Sequence, residues 1–305
     1  LDTRLDHRFM DLRRPQVRKI FEKKSKALNK IRNYFHQNDF IEIQTPKIIG
    51  SATEGGTELF PMEYFGEQAY LAQSPQLYKQ MLMATGFNKV FEIDPIFRAE
   101  EHDTFRHLNE SWSIDGEIAF IDNEEDPMKS LEKMIAKAAE INGYNLDLPL
   151  KRLNYDKALE IVQDLGMNLE WGDDLGTEAE RKLGEYMKEQ KNEITYFIKN
   201  YPSEIKPFYI MKDDEISRSF DLDFHGIEIS SGGQREHRKE VLKNQINKQD
   251  LDPEDFEFYL EAFKYGMPPH GGYGVGLERL IMVILELNNI RETTIFPRDR
   301  RRLRP

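Results

Sequence analysis

The sequence predicts an α+β domain, a largely antiparallel β-sheet flanked by helices. Three observations lead there. Strand-like runs cluster at 40–43, 90–99 and 113–120, and again from 207 onward. Strands close in sequence are joined by a polar loop or a tight turn. Amphipathic helical stretches lie between and beyond them, the arrangement of a mixed sheet-and-helix fold.

Each element has its own signal. Val17, Phe21, Leu28, Ile31 and Phe35 recur at helical spacing with Pro15 just ahead, so 17–36 reads as a long amphipathic helix. A short apolar strand, 40–43, ends by Pro46, and Gly55 and Gly56 mark a loop. Residues 75–83 read as a helix. The strands 90–99 and 113–120 are joined by a loop carrying Arg106 and His107. From 122 to 203 helical stretches dominate, at 127–141, 155–165 and 177–189, with Thr177 and Glu180 in a capping-box pattern. Helices here, between strand-rich flanks, suggest an insertion at 122–203 that divides the main domain into 1–121 and 204–305. Strands resume at 207–211. The runs 217–224 and 226–230 form a hairpin turning at His225-Gly226. Gly266 stops a helix over 252–265, and a glycine-rich strand, 270–276, leads into a helix over 277–287.

Composition narrows the function classes. The chain has 305 residues, enough for one large domain or two smaller ones, with 39% hydrophobic and 32% charged residues. No apolar run reaches the ~18 residues of a membrane span, and no signal-peptide pattern opens the chain. Zero cysteines exclude disulfides and thiolate metal sites, and fit a reducing, cytoplasmic location. The net charge, 43 − 55 = −12, argues against a surface coated in basic residues for nucleic acid. It leaves room for a local patch, and Arg298, Arg300, Arg301, Arg302 and Arg304 form the clearest basic cluster. A solvated or salt-bridged tail is the plain alternative. The chain starts at Leu1, not at a methionine. This leads us to expect that something upstream was removed or that the chain is an excised fragment.

Four groups of residues carry chemistry. Phe97-Arg98-Ala99-Glu100 places an anion binder and an acceptor on one strand face, and Arg106 and His107 follow in the loop. A charged hairpin with surface ion pairs is the plain reading. Gly271-Gly272-Tyr273-Gly274-Val275-Gly276 precedes Leu277-Glu278-Arg279 in the next helix. It is either a cradle for close ligand approach or a device for tight strand packing. In the hairpin, a two-residue turn sets Asp223 opposite Glu228 and Asp221 opposite Ser230. All four then share one face. Such carboxylates need a cation or basic group among them, and oxygen ligands suit Mg²⁺. A solvent-facing acidic sheet face is the alternative. In Gln73-Ser74-Pro75-Gln76-Leu77-Tyr78-Lys79, the lone Lys79 is by itself uninformative.

In this order these groups resemble the motifs of class II aminoacyl-tRNA synthetases, most of all the aspartyl-tRNA synthetases of archaeal and eukaryotic type. The helix and strand ending at Pro46 resemble the first motif. Residues 97–117 resemble the second, and Gly274-Val275-Gly276-Leu277-Glu278-Arg279 the third. Glu228-Ile229-Ser230-Ser231-Gly232-Gly233-Gln234-Arg235 extends the match, which covers essentially all of residues 1–305.

The resemblance implies a six- to seven-stranded antiparallel sheet, ATP as substrate, Mg²⁺ as cofactor, and a homodimer through the first-motif region. Parts 1–121 and 204–305 become the two halves of the catalytic domain. Arg98 and Arg279 are the implied catalytic residues. Arg98 holds the ATP α-phosphate and a substrate carboxylate oxygen. Arg106, His107 and Arg279 hold the β- and γ-phosphates, and Glu100 contacts the adenine side. Asp221 and Glu228 hold Mg²⁺, with Glu228 also at the ATP and Ser231 nearby at the aspartate. Lys79 and Arg235 clamp the side-chain carboxylate of L-aspartate. Glu54, Ser74, Gln76 and Asp115 meet its amino group, Glu54 from a loop that closes over the amino acid. The partner is the acceptor end of tRNA(Asp), and no membrane is involved. Attack of the aspartate carboxylate on the α-phosphorus needs charge neutralisation rather than a protein nucleophile.

Charge separates aspartate from the nearly isosteric asparagine, because an amide there leaves buried cations unpaired. Asparaginyl-tRNA synthetases are similar elsewhere but typically lack the lysine at the Lys79 position. Two departures stand out. Many relatives stack a phenylalanine on adenine after the Glu110 position, where this chain has Ser111 and then Trp112, which alternation turns to the opposite face. The family's N-terminal anticodon-binding OB-fold is also not in the sequence, so a truncated form is expected. The alternatives are a tRNA-independent asparagine synthetase-type paralogue, an asparaginyl-tRNA synthetase, and a non-catalytic paralogue, the last at odds with the presence of Arg98, Arg279, Asp221 and Glu228.

Overall fold

The structure, a computed structural model, describes residues 1–50, 59–100 and 104–304. Its centre is an eight-stranded sheet of β1 (Ile41–Glu42), β2 (Lys89–Phe97), β3 (Glu110–Ala119), β4 (Lys151–Asn154), β5 (Thr195–Lys199), β6 (Ser219–Phe224), β7 (Ile227–Gln234) and β8 (His270–Gly276). The spatial order is β1-β2-β3-β8-β7-β6-β5-β4. The six inner strands pair antiparallel, while β1 on β2 and β4 on β5 are parallel. The sheet is therefore larger than the resemblance implied. It takes in β4 and β5 from the 122–203 stretch and carries a parallel pair at each edge.

Besides two short N-terminal helices, Asp2–Asp6 and Arg8–Asp11, the described residues form helices α1 (Pro15–Gln37), α2 (Gln76–Leu82), α3 (Glu125–Ala139), α4 (Tyr155–Asp164), α5 (Gly176–Lys191), α6 (Lys239–Lys248), α7 (Glu257–Ala262) and α8 (Leu277–Ile284). Helix α1 starts on Pro15, whose missing N–H costs nothing at a first turn. It buries Val17, Ala27, Ile31, Tyr34 and Phe35, and Phe35 stacks on Phe91 of β2 with ring centroids 4.3 Å apart. Helix α8 is buried almost all round, and with α3 it covers one sheet face over Phe220, Leu222, Phe224 and Val275. A second apolar cluster, including Leu77, Phe208, Leu242, Tyr259 and Phe263, lies under α2, α6 and α7.

Several expected elements take a different form. Residues 207–211 are not a strand: Ile210 makes only an isolated bridge to Arg235. The 252–265 helix is broken into a 3₁₀ turn, α7 and a second 3₁₀ turn. Thr177 does not cap α5, because that helix begins at Gly176 with no side-chain cap. A three-stranded sheet of Ile48–Ile49, Pro61–Tyr64 and Glu67–Leu71, and helix α6, had no clear sequence signal.

Candidate active site

The open face of the inner strands bears a cavity of about 300 Å³. Strand β2 ends at Phe97, so Arg98 and Glu100 lie just beyond the strand and not on it. Asn109 fixes this crossover. Its amide donates to the carbonyls of Arg98 (2.8 Å) and Glu100 (3.2 Å), and its own carbonyl accepts from the Arg98 N–H (3.0 Å). Arg98 stays 45% exposed at the cavity, 3.8 Å from Glu100. His107 also lines the cavity, 3.6 Å from Glu100. Arg279, in the first turn of α8, reaches across β8 to donate to the Glu228 carbonyl at 2.9 Å. Ser111 lines the wall and Trp112 does not, in keeping with strand alternation.

The glycine-rich strand has a purpose that its sequence left open. Gly272, Gly274 and Gly276 of β8 lie opposite Glu117, Asp115 and Ser113 of β3. A Cβ on Gly272 would sit 2.1 Å from the Gly116 carbonyl and 2.2 Å from a Glu117 carboxylate oxygen. One on Gly274 would be 3.2 Å from Asp115 Oδ1. Tight packing is therefore the reading that holds at Gly272, where the missing side chain gives room to a buried carboxylate.

Those carboxylates organise the next layer. Arg235 donates two hydrogen bonds to Glu117, at 3.0 and 3.2 Å, and both residues are buried. Lys79 lies 2.8 Å from Asp115 and 3.6 Å from Glu117, and also donates to the Tyr273 carbonyl at 3.1 Å. Burial pushes Glu117 up, but Arg235 and then Lys79 outweigh it and hold it below the usual carboxylate range. Asp115, Arg235, Ser74 and Gln76 line the cavity, whereas Lys79 sits behind the wall at 2% exposure. Among the described residues the Gln76 Nε2 is buried without a hydrogen-bond partner. Glu54 lies outside the described residues.

The acidic hairpin differs in register from the expectation. Asp223 does pair with Glu228, but a shift between Leu222 and Asp223 sets Asp221 opposite Ser231 instead of Ser230. The bulge brings Ser231 beside the carboxylates. Ser230 instead donates to the Gly274 carbonyl at 2.8 Å. Burial, then Asp221, push Glu228 up to about 7, against Arg279. Asp223 is driven well above the usual range by burial and by Glu180, Glu228 and Asp221.

Two residues without an assigned role complete this end. Lys206, following a 3₁₀ turn, lies 2.7 Å from Asp221 Oδ2 and 3.7 Å from the Tyr201 ring centre. Glu180 of α5 accepts from Arg106 at 2.7 Å. Neither had a local pattern to reveal it, since their partners are distant in sequence. The other oxygen of Asp221 is buried without a hydrogen-bond partner among the described residues. Two carboxylates and a hydroxyl, all oxygen donors, fit Mg²⁺, which is commonly held by one or two carboxylates plus phosphates. Among the described residues no group of three or more His, Cys, Asp or Glu side chains is arranged to hold a metal by itself.

In the C-terminal cluster, Arg302 binds Asp299 at 2.9 Å and Asp2 at 2.7 Å, a salt-bridged tail at that position. Among the described residues no helix is long and apolar enough to cross a membrane.

This sheet, with its cavity of arginines and carboxylates, is of the synthetase type. The profile of the class II tRNA synthetases for D, K and N matches residues 1–300, and the chain belongs to that family. It is 61% identical to the aspartate–tRNA(Asp) ligase of Thermococcus kodakarensis, over all of this chain and 74% of that protein. It is 54% identical to the aspartate–tRNA(Asp/Asn) ligase of Methanopyrus kandleri, over all of this chain and 73% of that one. Among solved structures, the asparaginyl-tRNA synthetase of Pyrococcus horikoshii with asparaginyl-adenylate superposes with a TM-score of 0.92 at 35% identity, over all of this chain and 74% of its own.

Proposed function

We infer that the protein is an aminoacyl-tRNA ligase that activates L-aspartate with ATP and transfers it to the 3′ end of tRNA(Asp). The observation that carries this is the cavity itself: Arg98, Arg106 and Arg279 line it beside a buried Lys79–Asp115–Glu117–Arg235 cluster, in a chain 61% identical to an aspartate–tRNA(Asp) ligase.

The cluster suits a zwitterion with a second carboxylate. Asp115, with Ser74 and Gln76, takes the substrate ammonium, and Glu54 closes over it. Lys79 and Arg235 take the side-chain carboxylate, with Ser231 beside it. Arg98 binds the substrate α-carboxylate and the ATP α-phosphate, aligning attack. Arg106, His107 and Arg279 bind the outer phosphates, and Glu100 faces the adenine. Preorganised cations need no reorganisation as charge moves to the leaving pyrophosphate. Mg²⁺ held by Asp221 and Glu228 supplies further neutralisation when bound. A ribose hydroxyl of the tRNA then attacks the aspartyl-adenylate.

The protein works as a cytoplasmic homodimer through the first-motif region, where Ile41 is 46% exposed. Charging of tRNA(Asn) with aspartate is a second reading, favoured by the Asp/Asn naming of relatives such as the Methanopyrus kandleri enzyme. The test is ATP–pyrophosphate exchange with aspartate beside asparagine, followed by charging of tRNA(Asp) and tRNA(Asn) transcripts. Exchange with aspartate only is expected; no exchange with aspartate would sink the proposal.

A further inference from the structure

We propose that Glu180 is a positioning residue for ATP: it fixes the guanidinium of Arg106 at the cavity so that its free edge meets the outer phosphates. This rests on the reading of the cavity as the ATP site.

The geometry is specific. Arg106 sits between β2 and β3, in a described stretch, 104–109, of turns and irregular backbone. Its Nη1 donates to Glu180 Oε2 at 2.7 Å, with the side chains only 14% and 10% exposed. The same oxygen lies 3.5 Å from the backbone N–H of Glu228. Glu180 therefore ties the loop to the hairpin that carries Asp221 and Glu228.

The mount of Glu180 is rigid. Helix α5 docks backbone to backbone on the β6–β7 turn. A Cβ on Gly184 would lie 2.3 Å from the Gly226 Cα, and one on Gly226 would lie 3.0 Å from the Glu180 carbonyl. Gly226 has φ +71, a conformation that suits glycine in a tight turn. Helix and hairpin are thus set against each other with no side chain between them.

A planar guanidinium has five N–H donors in a fixed fork. One carboxylate on one nitrogen leaves donors for a phosphate. Held in place, Arg106 has already lost the rotamer freedom that ligand binding otherwise removes. The opposite outcome is physically possible too. A carboxylate near a triphosphate repels it, and if that dominated, removing Glu180 would tighten ATP binding.

The two effects have opposite signs in one measurement, aspartate-dependent ATP–pyrophosphate exchange. We expect Glu180→Ala to raise KM for ATP about tenfold, the scale of one charge-assisted hydrogen bond. KM for aspartate and kcat should stay within about twofold. Glu180→Gln, which keeps an acceptor oxygen at the same reach, should recover part of the loss. Arg106→Ala should raise KM for ATP at least as much, and Glu180→Ala on top of Arg106→Ala should add nothing, since the effect runs through Arg106. An unchanged or lowered KM for ATP in Glu180→Ala, or additive effects in the double variant, would overturn the proposal. Exchange absent from the wild type, or unaffected by Arg106→Ala, would instead overturn the reading of the cavity.

Discussion

Lys79 Nζ lies 2.8 Å from Asp115 Oδ1, at 2% and 6% side-chain exposure. The two residues expected to grip opposite ends of aspartate thus already hold each other. With Glu117 and Arg235 they make two cations and two carboxylates in one buried cluster. Aspartate adds one ammonium and one side-chain carboxylate, which such a cluster can take up together. Asparagine brings the ammonium alone. On the proposed reading of the site, discrimination would come from a balanced network rather than from two bare cations awaiting a charge.

This network makes Lys79→Ala costly twice. Aspartate kcat/KM should fall by at least about 30-fold, and stability by about 3–5 kcal/mol, because removing one partner leaves buried charge uncompensated. Pyrophosphate exchange and urea unfolding measure the two effects. Wild-type kcat/KM for aspartate in the variant would remove Lys79 from the site.

The contact between Lys206 and Asp221 Oδ2, at 2.7 Å, predicts competition with a divalent cation. Lys206→Met should bind Mn²⁺ without nucleotide about tenfold more tightly, because a positive charge next to the carboxylates is gone. Electron paramagnetic resonance titration of free Mn²⁺ reads this directly. Equal or weaker binding argues against metal at Asp221.

His270 is fully buried, its Nδ1 2.9 Å from the Pro268 carbonyl and its Nε2 without a hydrogen-bond partner among the described residues. Burial lowers its pKa to about 4 from an ordinary 6.5. The folded protein then binds fewer protons at this site than the unfolded chain between those values, so stability falls as pH drops. The full contribution is present above pH 6.5 and is lost on acidification toward pH 4. The loss is about 3 kcal/mol at its limit. Urea unfolding at pH 7 and pH 5 should show a smaller acid loss in His270→Asn than in the wild type; equal losses would refute it.

Gly272→Ala places a Cβ 2.1 Å from the Gly116 carbonyl, and backbone cannot swing aside. We expect about 3 kcal/mol or more of destabilisation, at the top of the range for overpacking. Gly50→Ala, where nothing among the described residues lies within 4 Å, is the control and should stay within about 0.5 kcal/mol. Matching urea midpoints for the two variants would contradict the close strand contact.

Much of the fold was legible where local pattern and final environment agree. Strand β8 runs from His270 to Gly276, as the glycine-rich stretch suggested, and α1 covers its periodic apolar face. The hairpin turns at His225-Gly226, both with positive φ, as a two-residue turn of type I′ requires. Local pattern misled at Glu180. The Thr177–Glu180 spacing has the look of a cap, yet Glu180 turns inward to Arg106. It was silent on the bulge that exchanges Ser231 for Ser230, because a register shift leaves no mark in a run of serines.

The sequence by itself determined the family, and which residues, in which order, are the candidates for its chemistry. Arginines, carboxylates and glycines at those positions identify the family without coordinates. The tertiary structure decided who holds whom: Lys79 with Asp115, Arg235 with Glu117, Arg106 with Glu180, Lys206 with Asp221. These pairs span from 15 to 118 positions along the chain. An ion pair of that kind depends on which strands and helices become neighbours, and local sequence does not encode that adjacency.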